Sequence, residues 1–288
     1  MEKINLKHIA GLIVLLKVSL IAFLVWKIFS THPNPLSSFS IDKEFLLFCL
    51  AGFVAQIIDG ALGMAYGVSC STLLQSFGIP QKLVTASVHT SEVFTTGVSG
   101  LSHIAMNNID KKLFFRLVIS GVISAIIAAV LISKYIDGKA VKPFISAYLL
   151  LLGIWILIKS FRQFEFKNTA LKYAPYLGFI GAFLDVIGGG GWGPIVTSNL
   201  IDKGNSPKEV IGTVNTAEFF ITFASTGVFI LLVGIDSWKI ILGLIAGGVV
   251  AAPIGAYIIK FIQPKTLLRL VGILIVVTNT YNIYKALH

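Results

Sequence analysis

Residues 59–67 read DGALGMAYG, and residues 185–193 read DVIGGGGWG. Each stretch interrupts a long apolar segment, about 45–79 in the first case and about 172–202 in the second. A continuous helix over 45–79 would be roughly 50 Å long at ~1.5 Å per residue, which is more than one membrane span needs. We therefore predict that Asp59 and the glycine-rich run after it divide the first segment into two arms of about 10 to 15 residues, and that the second segment divides at residues 188–193. Two such arms around a turn predict a re-entrant hairpin.

The composition is that of an integral membrane protein. Apolar residues make up 56% of the 288 residues and charged residues 12%, about half the charged share of a soluble domain. The net charge of +10 comes from Lys and Arg between the apolar segments, as in cytoplasmic loops of membrane proteins, so nucleic-acid binding is not expected. Cys49 and Cys70 lie in apolar segments without metal-ligand spacing, and we predict no metal and no cofactor.

The N-terminal apolar segment, Ile9–Phe29, is long enough to span a membrane and is interrupted by Lys17. No small-residue cleavage site follows it, so a retained helix is expected rather than a signal peptide. We assign residues 1–44 to an extra transmembrane helix and linker. A signal anchor without a part in transport is the alternative.

The rest of the chain is a duplication. A shift of 126 positions aligns the halves without a gap, and 18 of the 61 positions from 52 to 112 are identical. Asp59 meets Asp185 and Glu92 meets Glu218. We predict an all-α membrane protein with repeats over 45–162 and 163–288. Each repeat has four apolar segments, at about 45–79, 83–105, 113–133 and 141–161, and at about 172–202, 208–233, 237–259 and 266–286.

The loop charges favour inverted repeats. If the two interrupted segments are re-entrant, 14 Lys and Arg lie on one side of the membrane and 8 on the other, leaving out Lys17. The richer side is then cytoplasmic and includes the N-terminus. Three crossings per repeat is an odd number, so the repeats face opposite ways, as in many secondary transporters.

The glycine turns are the candidate binding site. Unwound backbone at membrane depth is tolerated where it lines a cavity, and the helix starts expected at Val68 and Pro194 expose N–H groups that suit an anion. Glycines that serve only helix packing are the alternative. The candidate anion-binding residues, from the turns and the hydroxyl-rich segments after them, are Gly63, Gly67, Ser69, Ser71, Thr90, Gly189, Gly190, Gly191, Trp192, Gly193, Thr197, Asn215 and Thr216.

A polar stripe marks the second segment of each repeat. His89, Glu92, Thr96, Ser99 and His103 share one helical face, and the second repeat has the matching stripe Asn215, Glu218, Thr222 and Ser225. Intramembrane carboxyls are costly and suggest function. We therefore expect proton coupling or a polar core at Asp59, His89, Glu92, Asp185 and Glu218. Helix capping by Asp59 and Asp185, and interhelical hydrogen bonds of the glutamates, are the alternatives.

At these residues the chain resembles the TauE/SafE family of membrane permeases, often called sulfite exporters. The resemblance rests on Asp59–Gly67, Asp185–Pro194, Ala86–Glu92 and Gly212–Glu218, and it covers about 45–287. It implies transport of sulfite, sulfoacetate or another small, mostly sulfur-containing anion. The first turn reads GALGM where the second keeps four glycines, so the halves are expected to contribute unequally.

Three functions fit these patterns. The leading one is a secondary transporter of a small anion in a bacterial inner membrane, with export favoured; the sequence has no Walker-type loop for ATP. The second is a passive anion channel. The third is an intramembrane hydrolase using Ser99 and His103, which is disfavoured because the matching Ser225 has no histidine one turn later.

Overall fold

The computed structural model describes residues 5–31, 40–62, 64–136, 138–161, 171–202, 207–234, 237–258 and 264–287. These residues form helices and no strand, which confirms the all-α prediction. Within these described ranges, three stretches are long and apolar enough to cross a membrane by themselves: Leu6–Thr31, Lys111–Tyr135 and Glu209–Leu232. The helices are α1 Leu6–Thr31, α2 Lys43–Leu62, α3 Tyr66–Ser76, α4 Gln81–Ala105, α5 Lys111–Val130, α6 Gly138–Lys159, α7 Ala174–Gly188, α8 Ser198–Asp202, α9 Pro207–Leu232, α10 Trp238–Ile258 and α11 Pro264–Leu287.

Both interrupted segments break within the predicted runs 60–67 and 188–193, but the helix ends differ from those predicted. α2 continues through Asp59 and Gly60 to Leu62, and α3 begins at Tyr66 rather than Val68. The first arm is therefore 20 residues long, because Ala61 and Leu62 favour helix and offset Gly60. In the second segment a π-helical turn, Gly193–Thr197, precedes α8 and contains Pro194.

The two repeats pack into each other. α2 packs along α10 and α5 along α7, while α4 packs against α9 and α6 against α11. Under the 126-residue shift α2 corresponds to α7 and α10 to α5, while α4 corresponds to α9 and α6 to α11. The pair α2–α10 is therefore equivalent to the pair α7–α5, and each of the other two pairs is equivalent to itself. The repeats are thus arranged around a pseudo-two-fold axis.

The self-corresponding pair α4 and α9 is antiparallel. A Cβ on Gly97 would lie 3.2 Å from Phe219, and one on Gly212 would lie 3.0 Å from His103, so residue numbers fall along α9 as they rise along α4. Antiparallel helices related by a two-fold axis place that axis perpendicular to them. Such an axis lies in the membrane plane if the helices cross the bilayer, which supports the prediction of inverted repeats.

The directions of the neighbouring helices also show that α2 and α3 are antiparallel. α2 is parallel to α10, since Asp42 pairs with Lys239 at their start and Gln56 lies by Gly248 further along. α10 follows α9 after a short turn and so runs with α4. α3 is antiparallel to α4, because Tyr66 donates to Ser91 and Gln75 to Gln81. α2 and α3 therefore form a hairpin; that it is re-entrant in a bilayer stays a prediction.

The start of α2 is fixed by Asp42. Its Oδ1 accepts the N–H of Phe45 at 2.9 Å, and its Oδ2 accepts from Lys239. Lys239 and the Phe45 amide lower the pKa of Asp42 to about 2. The contact between α2 and α10 therefore holds well into acidic pH.

The extra helix α1 lies against α4. Lys17 Nζ donates to the carbonyl of Phe94 at 3.2 Å, and a Cβ on Gly97 would lie 2.6 Å from Cδ of Lys17. Ile9 and Ile13 of α1 belong to the largest apolar cluster, together with residues of α4, α5, α7 and α9. α1 thus packs on the helix that carries the polar stripe.

Candidate functional site

The two helix breaks, one between α2 and α3 and the other between α7 and the π-helical turn, touch each other and are called the tips below. A Cβ on Gly67 would lie 2.8 Å from Cα of Gly190, and one on Gly193 would lie 2.7 Å from Met64. These two contacts correspond under the 126-residue shift. On Gly190 a Cβ would overlap the backbone of Gly67 and Val68. Glycine at Gly67, Gly190 and Gly193 therefore permits the two tips to meet, as the packing alternative requires; an anion-binding role of these glycines stays a prediction.

The other glycines have backbone or packing reasons of their own. Gly189 and Gly191 have φ of 74° and 145°, and a Cβ on Gly188 would lie 2.5 Å from the ring of Tyr148. L-residues rarely adopt such positive φ values. The chain must therefore have glycine here to turn between α7 and the π-helical turn. Gly63 lies outside the described residues.

Asp59 and Asp185 each cap the arm that follows the break. The N–H of Tyr66 donates to Asp59, and the N–H of Trp192 donates to Oδ1 of Asp185 at 2.9 Å. Tyr66 and Trp192 correspond in the two repeats. Capping satisfies N–H groups that would otherwise be unpaired at the start of an arm. The two aspartates therefore act as caps, and a part in proton coupling stays a prediction.

Asp185 has a second partner in the first repeat. Oδ2 of Asp185 lies 3.1 Å from Nε2 of His89, and Nδ1 of His89 lies 2.8 Å from the carbonyl oxygen of Thr85. Both side chains are buried, with 0% and 1% of their area exposed. Thr85 also donates to the carbonyl of Val186, next to Asp185. The polar stripe of α4 is thus tied to the end of α7.

Four carboxyl groups gather around this contact. Glu92 is buried, its Oε2 has no hydrogen-bond partner, and it interacts electrostatically with Asp59, Asp185 and Glu218. Asp59 and Glu218 are half-buried. No Lys or Arg among the described residues forms a salt bridge with these groups. Lys159, which was expected in a loop, is buried at the end of α6 against the ring of Trp155.

Among the described residues, His89, Glu92 and Asp185 form the one group with metal-like spacing, with ligand atoms within 4.8 Å of one another. His89 and Asp185 already contact each other, and the Trp192 amide holds the other oxygen of Asp185. That leaves the Oε2 atom of Glu92 as the free ligand. A hydrogen-bonded proton fits this pairing better than a metal ion does.

Some of the hydroxyl groups predicted to bind an anion are hydrogen-bonded to the protein, and others are not. Ser71 donates to the carbonyl of Gly189, while Thr90 and Thr216 donate back to Ala86 and Gly212 within their own helices. The Oγ of Ser69 and Oγ1 of Thr197 are buried without a hydrogen-bond partner. Since a buried hydroxyl without a partner is costly, these two donors are the ones available to a ligand.

The remaining candidates contact protein. The indole of Trp192 is fully buried and donates to the carbonyl of Val214 at 3.3 Å. Asn215 donates to Ser99 at 3.0 Å, and Nδ1 of His103 faces Asn108 at 3.3 Å. Ser99 and His103 are not hydrogen-bonded to each other among the described contacts, so the arrangement expected of the hydrolase alternative is not formed.

Four residues at the tips were not singled out by the sequence. Gln81 donates to the carbonyl of Ile187 at 3.1 Å and accepts from Gln75. Tyr148 of α6 donates to the carbonyl of Gly190 at 3.2 Å. Gln81 and Thr85 extend the stripe of α4 by two turns and could have been found by that spacing. No sequence pattern points to Gln75 or Tyr148.

Comparison with known proteins gives two matches. A family model described as "Sulfite exporter TauE/SafE" matches residues 48–281. The "Probable membrane transporter protein YtnM" of Bacillus subtilis (strain 168) is 43% identical over 246 residues, which cover 82% of this chain and 82% of that protein. No solved structure matches the chain.

Proposed function

We propose that this membrane transporter is a secondary exporter of a small anion of the sulfite or organosulfonate type. The premise is that the chain belongs to the TauE/SafE sulfite exporter family. The observation that carries the proposal is the meeting of two broken helices in a buried centre that offers unpaired donors. Discontinuous helices at mid-membrane are where secondary transporters bind their substrates.

The anion in this proposal is held by neutral donors. Ser69 lies on α3 and Thr197 in the π-helical turn of the second hairpin, and both hydroxyls lack a protein partner. Both arms start at the tips, so the positive ends of their helix dipoles lie there. Within the described part of the chain no Lys or Arg forms a salt bridge with the four carboxyls, so the donors proposed to hold the anion are neutral.

Protons are the proposed coupling ions. Four ionised carboxyl groups beside an anion would repel it, and no described Lys or Arg pairs with Glu92 to offset its charge. We therefore place a proton on Glu92 or Glu218 when the anion is bound. Movement of that proton through the cycle links anion flux to the pH gradient.

The test is flux of radiolabelled sulfite in proteoliposomes, with and without a pH gradient. A secondary transporter gives saturable flux and accumulates sulfite when a pH gradient is imposed. Flux that grows linearly with concentration and ignores the gradient would favour the passive channel. No flux of sulfite or of a set of small sulfonates above empty vesicles would overturn the proposal.

The proposed location is a bacterial inner membrane with the N-terminus in the cytoplasm. The Bacillus relative, a probable membrane transporter, supports the membrane location, and the loop charges support the orientation. In it, the α2–α3 hairpin enters from outside and the second hairpin enters from the cytoplasm.

A further inference from the structure

The contact between His89 and Asp185 joins the two repeats at the site. His89 belongs to α4 of the first repeat and Asp185 to α7 of the second. Gln81 and Thr85 of α4 donate to the carbonyls of Ile187 and Val186 beside it, and both are neutral. His89–Asp185 is therefore the titratable contact in this row of bonds between α4 and α7.

The geometry of His89 fixes how many protons the contact holds. A carbonyl oxygen only accepts, so the Nδ1 atom 2.8 Å from Thr85 O carries a hydrogen. Nε2 and Oδ2 of Asp185 lie 3.1 Å apart, and one proton must lie between them, on either the nitrogen or the oxygen. Without it, a nitrogen lone pair and a carboxylate oxygen would face each other in a buried place and repel.

The corresponding contact in the other half of the molecule is absent. His89 corresponds to Asn215 and Asp185 to Asp59. Asn215 donates to Ser99 of α4 instead, and Asp59 accepts the N–H of Tyr66. An amide cannot gain or lose a proton in this pH range, so a proton-dependent contact of this kind can form in one half only.

We propose that His89 and Asp185 form a proton-dependent clasp between the repeats, which holds one proton per chain and opens when that proton leaves. The inference rests on the proposed function only where it links this proton to anion movement. The titratable groups around the clasp are acidic or neutral. Glu92 on α4, Tyr148 on α6 and Glu218 on α9 interact electrostatically with Asp185. Asp59 on α2 and Tyr66 and Cys70 on α3 interact with Glu92. None of them supplies a positive charge in place of the proton.

Opening of the clasp has a direct effect on the hairpin tips. Asp185 also caps Trp192 through its other oxygen, so repulsion at Oδ2 pushes on the residue that orders the second turn. Loss of the proton therefore both separates α4 from α7 and disturbs the turn where the anion is proposed to bind. One proton is bound or released for each change between the two arrangements.

Thermal unfolding of the purified protein in detergent, without added anion, tests the clasp. The folded wild type holds the proton, so its melting temperature should fall as the pH rises between about 5 and 8, by roughly 2–4 °C. Asp185→Asn keeps a neutral donor to Nε2 and an acceptor for Trp192 and should make this fall smaller, because the contribution of the clasp proton is lost while that of a protonated Glu92 or Glu218 remains. His89→Asn, which copies Asn215, should make it smaller as well, and His103→Asn is the control that should keep the full fall.

A wild-type slope in Asp185→Asn and His89→Asn would overturn the clasp. If one variant does not fold, the other decides the question. Because no anion is present, the result is independent of transport. If the slope is unchanged in the variants while the wild type shows proton-coupled sulfite flux, the clasp alone is rejected. If the slope is smaller in the variants while the wild type shows no anion flux, the proposed function alone is rejected.

Discussion

At the scale of single residues, Gly190 is a tip glycine whose nearest neighbours are backbone atoms. A Cβ there would overlap the backbone of Gly67 and Val68, which cannot move aside like a side chain. We predict that Gly190→Ala destabilises the protein by about 3 kcal/mol and lowers its melting temperature by roughly 6–12 °C. Gly227→Ala, in a helix with open space around its Cα, should leave the melting temperature unchanged or raise it. Equal melting temperatures of the two variants would show that the tips do not meet.

The glutamates can be tested by charge-neutral replacement. Glu92→Gln and Glu218→Gln imitate the protonated side chains, so we expect anion counterflow to persist while accumulation driven by a pH gradient falls at least about tenfold, the effect of ~1.4 kcal/mol. Both rates are measured in the same vesicles. Full pH-driven accumulation in both variants would assign the glutamates to structural hydrogen bonding.

The polar residues of the site could be recognised in the sequence, but the residues that they contact could not. Carboxyls in an apolar helix are conspicuous because burial is costly, and Asp59, Glu92, Asp185 and Glu218 do gather. The contact of His89 with Asp185 spans 96 positions, and neither its existence nor its absence in the other half follows from periodicity. The glycines were predicted to face an anion, but Gly67 and Gly190 face each other; a Gly67→Val test would therefore report on packing first.

At the scale of helices, the α2–α3 hairpin makes a prediction about labelling. Ile41 and Pro80 lie at the two ends of the hairpin and are exposed. In a protein freed of Cys49 and Cys70, Ile41→Cys and Pro80→Cys should both react with a membrane-impermeant maleimide from outside intact cells. Met106→Cys, after α4, should react only when the cells are opened. Labelling of Ile41→Cys and Pro80→Cys from opposite sides would mean that the segment crosses the bilayer.

Helix positions were largely predictable and helix ends were not. Apolar length and glycine content indicated where each segment would break, because both act locally. Helix propensity at Ala61 and Leu62 permits the extension of α2 to Leu62, and packing along α10 adds to it. That packing joins distant parts of the chain and leaves no local pattern.

At the scale of the whole molecule, neither repeat has a core of its own. α2 packs along α10 of the other repeat, and α5 along α7. We therefore predict that two separate chains, cut within 162–170, co-purify through a tag on one of them when they are produced together. Each produced alone should be degraded or aggregate. Stable accumulation of either half alone would show that the repeats fold independently.

The pairing of α2 with α10 also has a consequence for how the protein is made. Asp42 and Lys239 are 197 positions apart in the chain, and ribosomes add about 5–20 residues per second. The first hairpin therefore waits roughly 10–40 s in the membrane before the helix that completes its surroundings has been synthesised. During that time Asp59 can form hydrogen bonds only within the first hairpin and its neighbours in the first repeat. We therefore expect the insertion machinery to keep this carboxyl group away from lipid until α10 has been synthesised.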